Sequence, residues 1–166
     1  MCIMSLFKKK QKQEKEWTFN DKLVVKWTVP FKTKYNMEKL CKIILSQILK
    51  IDDVELTVAI GDSQIRLFDT PDFELQAMLT GQPQWKKYTL LLRSNIGAAN
   101  VLSIVCHEMW HLAQMYKGDL AIINKNFKWR GQNYPGSTPY FDRPWEKEAI
   151  KEQYEIERKV KQLYFV

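Results

Sequence analysis

Between Ala98 and Lys117 the chain is apolar on nearly every side of a helical wheel, broken only by His107, Glu108, His111 and Gln114. A helix of that profile is stable only when other elements surround it, so it has to run through the centre of a domain. Gly118 follows as its C-terminal stop. The rest of the 166-residue chain must therefore supply a covering layer, and a chain this long buries roughly two-thirds of its unfolded surface without disulfide staples. A hydrophobic content of 45% excludes a disordered chain, and six Gly with six Pro exclude a fibrous one. Nothing approaches eighteen consecutive apolar residues, so no membrane span is expected.

The covering elements follow from periodicity. Leu23 to Val29 alternates like a short strand ahead of Pro30. Asn36 suits the cap of an amphipathic helix whose apolar positions are Met37, Leu40, Cys41, Ile44, Leu45 and Ile48. Val54, Leu56, Val58 and Ile60 alternate in a strand ending at Gly61-Asp62, with Ile65 to Phe68 read as the returning strand. Gly81 and Pro83 mark a loop, Lys87 to Arg93 a further strand, and the Gly-, Asn- and aromatic-rich stretch up to Asp142 a long loop. Pro144 fits the first turn of a last helix running to about Leu163. These elements predict an α+β fold: residues 17–166 form one domain and residues 1–16 a basic arm.

The chemistry concentrates in the central helix. Residues 106–114 read C-H-E-M-W-H-L-A-Q, and the two histidines in it are the only ones in the chain. His107 and His111 stand four apart, which places both imidazoles on one helix face. Two imidazoles at that spacing suit zinc, and Glu108, one position aside, is placed to take a proton from a metal-activated water. Burying two imidazoles and a carboxylate in an apolar helix is costly without partners, and a metal ion supplies them. A catalytic site needs a third protein ligand. With no third histidine and no cysteine pair, that ligand is an Asp or Glu.

The combination of H-E-M-W-H-L-A-Q with a later R-P-W-E-K-E-A resembles the gluzincin-type zincins. In particular it is similar to small single-domain metallopeptidase-like proteins of phages and bacteria that pair H-E-x-x-H-x-x-Q with a P-[WY]-E-x-E-A helix. The resemblance covers residues 86–155 and implies a zincin-like fold, with a small mixed or antiparallel sheet, a buried active-site helix and a third ligand, Glu, on the C-terminal helix. The E-x-x-A pattern falls on Glu146, whereas thermolysin-like enzymes place the ligand directly before Ala, which selects Glu148. Helix geometry favours Glu146, roughly 60° from the centre of the buried face against roughly 95° for Glu148. Where the family often has Asp after Ala, Ile150 stands here, which leaves the histidines without that carboxylate partner. In such proteins the strand before the active helix borders the cleft; here that is Tyr88 to Arg93, whose free edge is expected to pair with an extended peptide. Tyr134, Tyr140, Tyr154 and Arg130 are the candidate donors to a developing oxyanion. Trp110 reads as core packing, and Gln114, about a turn beyond His111, reads as a helix-surface glutamine in preference to a group that orients a ligand.

The expected function is thus that of a zinc metallopeptidase, with His107, His111 and Glu146 on Zn²⁺, Glu108 as general base, and a peptide or protein as substrate. A zinc hydrolase of a non-peptide amide is a neighbouring alternative. A second class is a phage or mobile-element binding protein that keeps zinc for structure. Its contact with nucleic acid, an acidic partner or a virion component would use the arm FKKKQKQEKE. Five lysines and two glutamates in residues 1–16 give that arm +3 of the total +7, which equally suits a charged, solubilising terminus. Cys2, Cys41 and Cys106 are odd in number and widely spaced, and the basic run follows the first apolar residues instead of preceding them. Both features predict a reducing, cytoplasmic setting without export.

Overall fold

Strand β2 (Glu55–Ile60) sets the pattern of the main sheet: Leu56 and Val58 are fully buried while Glu55, Thr57 and Ala59 turn to the opposite, half-open face. The computed structural model, which describes residues 14–71 and 73–165, places β1 (Val24–Trp27) parallel to β2 on one side. On the other side lies β4 (Lys87–Leu92), also parallel, and beyond it β3 (Ala77–Gln82) runs antiparallel to β4. The order is therefore β1-β2-β4-β3. The register sets Val25 opposite Leu56, Leu56 opposite Tyr88, and Leu79 and Val58 on either side of Leu90, so one face is continuously apolar.

Helices cover that face. Asn36 accepts the Lys39 N–H at 3.1 Å and starts α1 (Met37–Ile43), which continues through a π-helical turn, Ile44–Ile48, and packs on β1. Helix α3 (Ala98–Tyr116) packs on β3 and is covered in turn by α4 (Pro144–Tyr164). Flanked on both sides, α3 buries Val101, Val105, Met109 and Leu112 completely, which accounts for its all-round apolarity. Among the described residues no helix is long and apolar enough to cross a membrane.

Three segments depart from expectation. Ile65 to Phe68 is not a returning strand: Asp62–Arg66 forms the short helix α2, since the place beside β2 is taken by β4, to which Gly61 already donates a hydrogen bond (Leu92 O, 3.0 Å). Gly81 is not in a loop but inside β3; a Cβ there would lie 2.6 Å from the Tyr88 ring, so glycine lets the ring cross the strand. The presumed loop after α3 contains an antiparallel meander, β5 (Leu120–Ile123), β6 (Asn126–Trp129) and β7 (Gln132–Tyr134). Both its turns have two central residues at positive φ, Asn124-Lys125 (52°, 65°) and Arg130-Gly131 (46°, 85°), the geometry that matches the twist of paired strands. Phe127, Trp129 and Tyr134 pack on Trp145 at the start of α4, with ring centroids 4.7, 6.3 and 5.4 Å away.

Most of the basic arm lies outside the described residues; its last part docks on the end of α4. Lys15 N–H donates to Tyr164 O at 3.1 Å, and the Tyr164 hydroxyl donates to Glu14 at 2.8 Å. At the far end of β4, Arg93 is 4% exposed and its guanidinium meets Asp69, Glu74 and the Leu75 carbonyl.

Leu90, enclosed in the middle of the sheet, is expected to cost about 2–5 kcal/mol when cut to Ala, measured by urea unfolding at constant m-value. The Arg93 guanidinium, helped by the Leu75 N–H, holds the Asp69 carboxyl below the usual carboxylate range. Because the folded-state value is the depressed one, this stabilisation is complete above the ordinary Asp range near pH 3.9 and is lost as pH falls through the folded value. The stability gap between wild type and Asp69→Asn should accordingly shrink on acidification, and a gap independent of pH would contradict it.

Candidate metal centre

The central helix and the last helix meet at three side chains. His107 and His111, one turn apart on α3, face Glu146 in the first turn of α4. Their inward atoms form a triangle with equal sides: His107 Nε2 to His111 Nε2, His107 Nε2 to Glu146 Oε2 and His111 Nε2 to Glu146 Oε2 are each 3.1 Å. The three corners of a tetrahedron with zinc-like arms of about 2.0–2.1 Å lie about 3.3–3.4 Å apart, so the triangle has the size that such an ion requires.

Hydrogen bonds on the outer side of each ring set the chemistry of that triangle. Gln114 Nε2 donates to Trp145 O (3.1 Å) and to Glu148 Oε2 (2.7 Å), two groups that only accept. The amide is thereby oriented with Oε1 toward His111 Nδ1, 2.7 Å away, and Nδ1 must carry the proton. His107 Nδ1 faces Gln153 Oε1 at 3.1 Å, an oxygen that accepts the Nδ1 proton. With each Nδ1 donating outward, the Nε2 lone pair of either ring in its neutral form points into the triangle, where it meets a carboxylate oxygen. Three acceptors at 3.1 Å in a buried site repel one another unless a cation or a proton lies among them. His107, His111 and Glu146 thus form a group that can hold a metal ion.

The electrostatics agree. Burial raises the Glu146 carboxyl, but the hydrogen bonds and charge of His107 and His111 outweigh it and hold the group well below the usual carboxylate range. Burial pulls His111 down, yet Glu146 and Glu108 bring it up to about 9 in the metal-free protein. Glu108, 8% exposed and beside the triangle, has its carboxyl pushed up by burial, with the two imidazoles opposing.

Of the two acidic candidates on α4, Glu146 joins the histidines and Glu148 does not. Glu148 is occupied by Gln114, Trp110 Nε1 (3.0 Å) and Arg130 (2.7 Å), and works as the anchor of the Gln114 amide. Gln114 is 2% exposed, so the surface reading of it is corrected: it is a buried partner of His111. Trp110 is half-buried and, besides packing, donates to Glu148. The strand Tyr88 to Arg93 offers no free edge, since β4 is paired on both sides; among the described residues the free edge on that side of the sheet is β3. Among the four candidate oxyanion donors, only Tyr140 reaches the site, its hydroxyl 3.4 Å from His107 Nε2. Tyr134 stands edge-on to Trp145, Tyr154 is 65% exposed, and Arg130 is bound to Glu148 and Asp119. Gln153 was not singled out from sequence. It follows Glu146 by seven residues, two turns on the same face, and that spacing was its available signal.

Gln114→Leu removes the group that holds His111 in its metal-binding tautomer. Metal affinity should fall about 10–100-fold, read by chelator competition, while the fold is retained by circular dichroism. No protein-family model matches the chain, and no curated protein or solved structure matches it significantly.

Proposed function

We propose that this protein is a zinc-dependent hydrolase and that its substrate is a peptide bond. The observation that carries the reading is the triangle of three acceptor atoms at 3.1 Å, with a buried carboxylate, Glu108, next to it. Two imidazoles and one carboxylate are a donor set suited to zinc. Among the described residues they are the whole ligand group, which is the three-ligand composition of catalytic sites as opposed to the four-ligand composition of structural ones. Bound zinc supplies Lewis acidity to the carbonyl and lowers the pKa of water.

The chain's own residues account for the other steps. Glu108, its carboxyl raised by burial, accepts a proton from the attacking water and later delivers it to the leaving amine. The Tyr140 hydroxyl, which burial keeps protonated, donates to the oxygen on which negative charge develops. The outer edge of β3, unpaired among the described residues, offers backbone groups to an extended peptide.

Glu108→Gln tests this directly. Zinc content by mass spectrometry should be unchanged, while kcat on a peptide library falls by about 10²–10⁴. Full activity in the variant would defeat the role of Glu108. A zinc-loaded wild type that cleaves no peptide would defeat the peptidase reading and favour the binding class, in which salt-dependent affinity for nucleic acid is the next measurement.

A further inference from the structure

Tyr140 sits in a single 3-10 turn, Tyr140–Asp142, between irregular segments, so its backbone alone does little to aim its hydroxyl. Its ring is instead held by neighbours. Phe73 stacks on it with centroids 4.7 Å apart and planes 26° apart, and Phe141 stands edge-on at 5.3 Å. Phe141 belongs to the same turn and moves with it; Phe73 does not. It comes from the segment between α2 and β3, more than sixty residues away in sequence.

That segment is itself clamped. The Leu75 N–H donates to Asp69 Oδ1 at 2.9 Å, Thr70 N–H donates to Phe73 O at 2.9 Å, and Phe73 N–H donates to Thr70 O at 3.2 Å. The buried guanidinium of Arg93 then binds Asp69 and the Leu75 carbonyl, while the Arg93 N–H donates to Gln76 O at 3.1 Å. Arg93 directly follows β4, so the segment is anchored to the central sheet. A continuous run of contacts thus leads from the sheet through Arg93 and Asp69 to Phe73, and from there to a hydroxyl 3.4 Å from a metal-ligand atom.

We propose that Phe73 is a positioning residue for the hydrolytic reaction: stacked on Tyr140 and anchored through Arg93, it holds the Tyr140 hydroxyl over the site. This rests on the reading of Tyr140 as oxyanion donor. Phe73 touches no reacting atom and acts through Tyr140 alone.

A double-mutant cycle on the full chain, zinc-loaded, tests it with Phe73→Ala, Tyr140→Phe and the two combined, and with Phe73→Tyr to keep a stacking ring. Loss of an oxyanion donor costs about 10²–10³ in kcat, and loss of its support should cost about tenfold, with KM and zinc content unchanged. Phe73→Tyr should retain kcat within about twofold, and Phe73→Ala should change kcat by no more than about twofold in the Tyr140→Phe background. Losses that multiply in the double variant, or a rise in KM alone, would overturn the proposal. The visible spectrum of the cobalt-substituted protein provides a readout that needs no turnover. Phe73→Ala and Tyr140→Phe should shift the band in the same way; a shift in Tyr140→Phe with none in Phe73→Ala overturns the proposal even if no peptide is cleaved. If wild type is inactive while the two cobalt shifts coincide, the peptidase reading fails and the positioning stands.

Discussion

Three electron-rich atoms held 3.1 Å apart in a buried space form the constraint around which this molecule is organised. Imidazole nitrogens and a carboxylate oxygen do not gather that closely without a positive charge between them, because both desolvation and mutual repulsion oppose it. The site lies on the interface of α3 and α4, so the packing that buries Met109, Leu112, Trp145 and Ala149 also brings the ligand atoms together. A metal ion held by this group would therefore be linked to the docking of the last helix, as it is wherever a site does not exist in the unfolded chain.

The polarity of that site is set from outside it. Glu148 and the Trp145 carbonyl only accept, so Gln114 must donate to them and present its oxygen to His111. Arg130 and Trp110 complete the surroundings of Glu148, which ties a turn of the small meander to the tautomer of His111. A carboxylate that stands two residues from Glu146 thus serves the same site at one remove. Glutamines 114 and 153 take the place that an acidic residue could have filled, and they bring no further negative charge to a group that already contains Glu146 and Glu108.

The sheet's contribution is directional. Its helices cover one face, β4 is paired on both sides, and β3 is left with an open edge. The chain inserts a meander between the two ligand-bearing helices, and its aromatic side packs on Trp145 and seats the start of α4. The Arg93 clamp does the corresponding work on the other side, where it holds the segment that carries Phe73.

Local periodicity alone was enough to determine α3, α4, α1 and the strands β2 and β4, since apolar spacing reports which face must leave water. It was enough as well to bring His107 and His111 onto one face, because four residues return a helix almost to its starting azimuth. Glu146 was favoured over Glu148 by the same rule, but only narrowly, because both lie near the rim of the buried face. What tertiary structure alone decided was everything that depends on partners distant in the chain. The segment Ile65 to Phe68 became the end of a short helix and a turn because a strand from residues 87–92 occupied its place. Gly81 stayed in a strand because of a ring from Tyr88. Gln114 was buried by an α4 contact that its own helix does not encode, and Tyr140 reaches His107, where Tyr134, Tyr154 and Arg130 do not, because of where a 3-10 turn and Phe73 set its ring. Sequence spacing specifies which way a residue faces on its own element, but what it meets there is specified only when the elements pack.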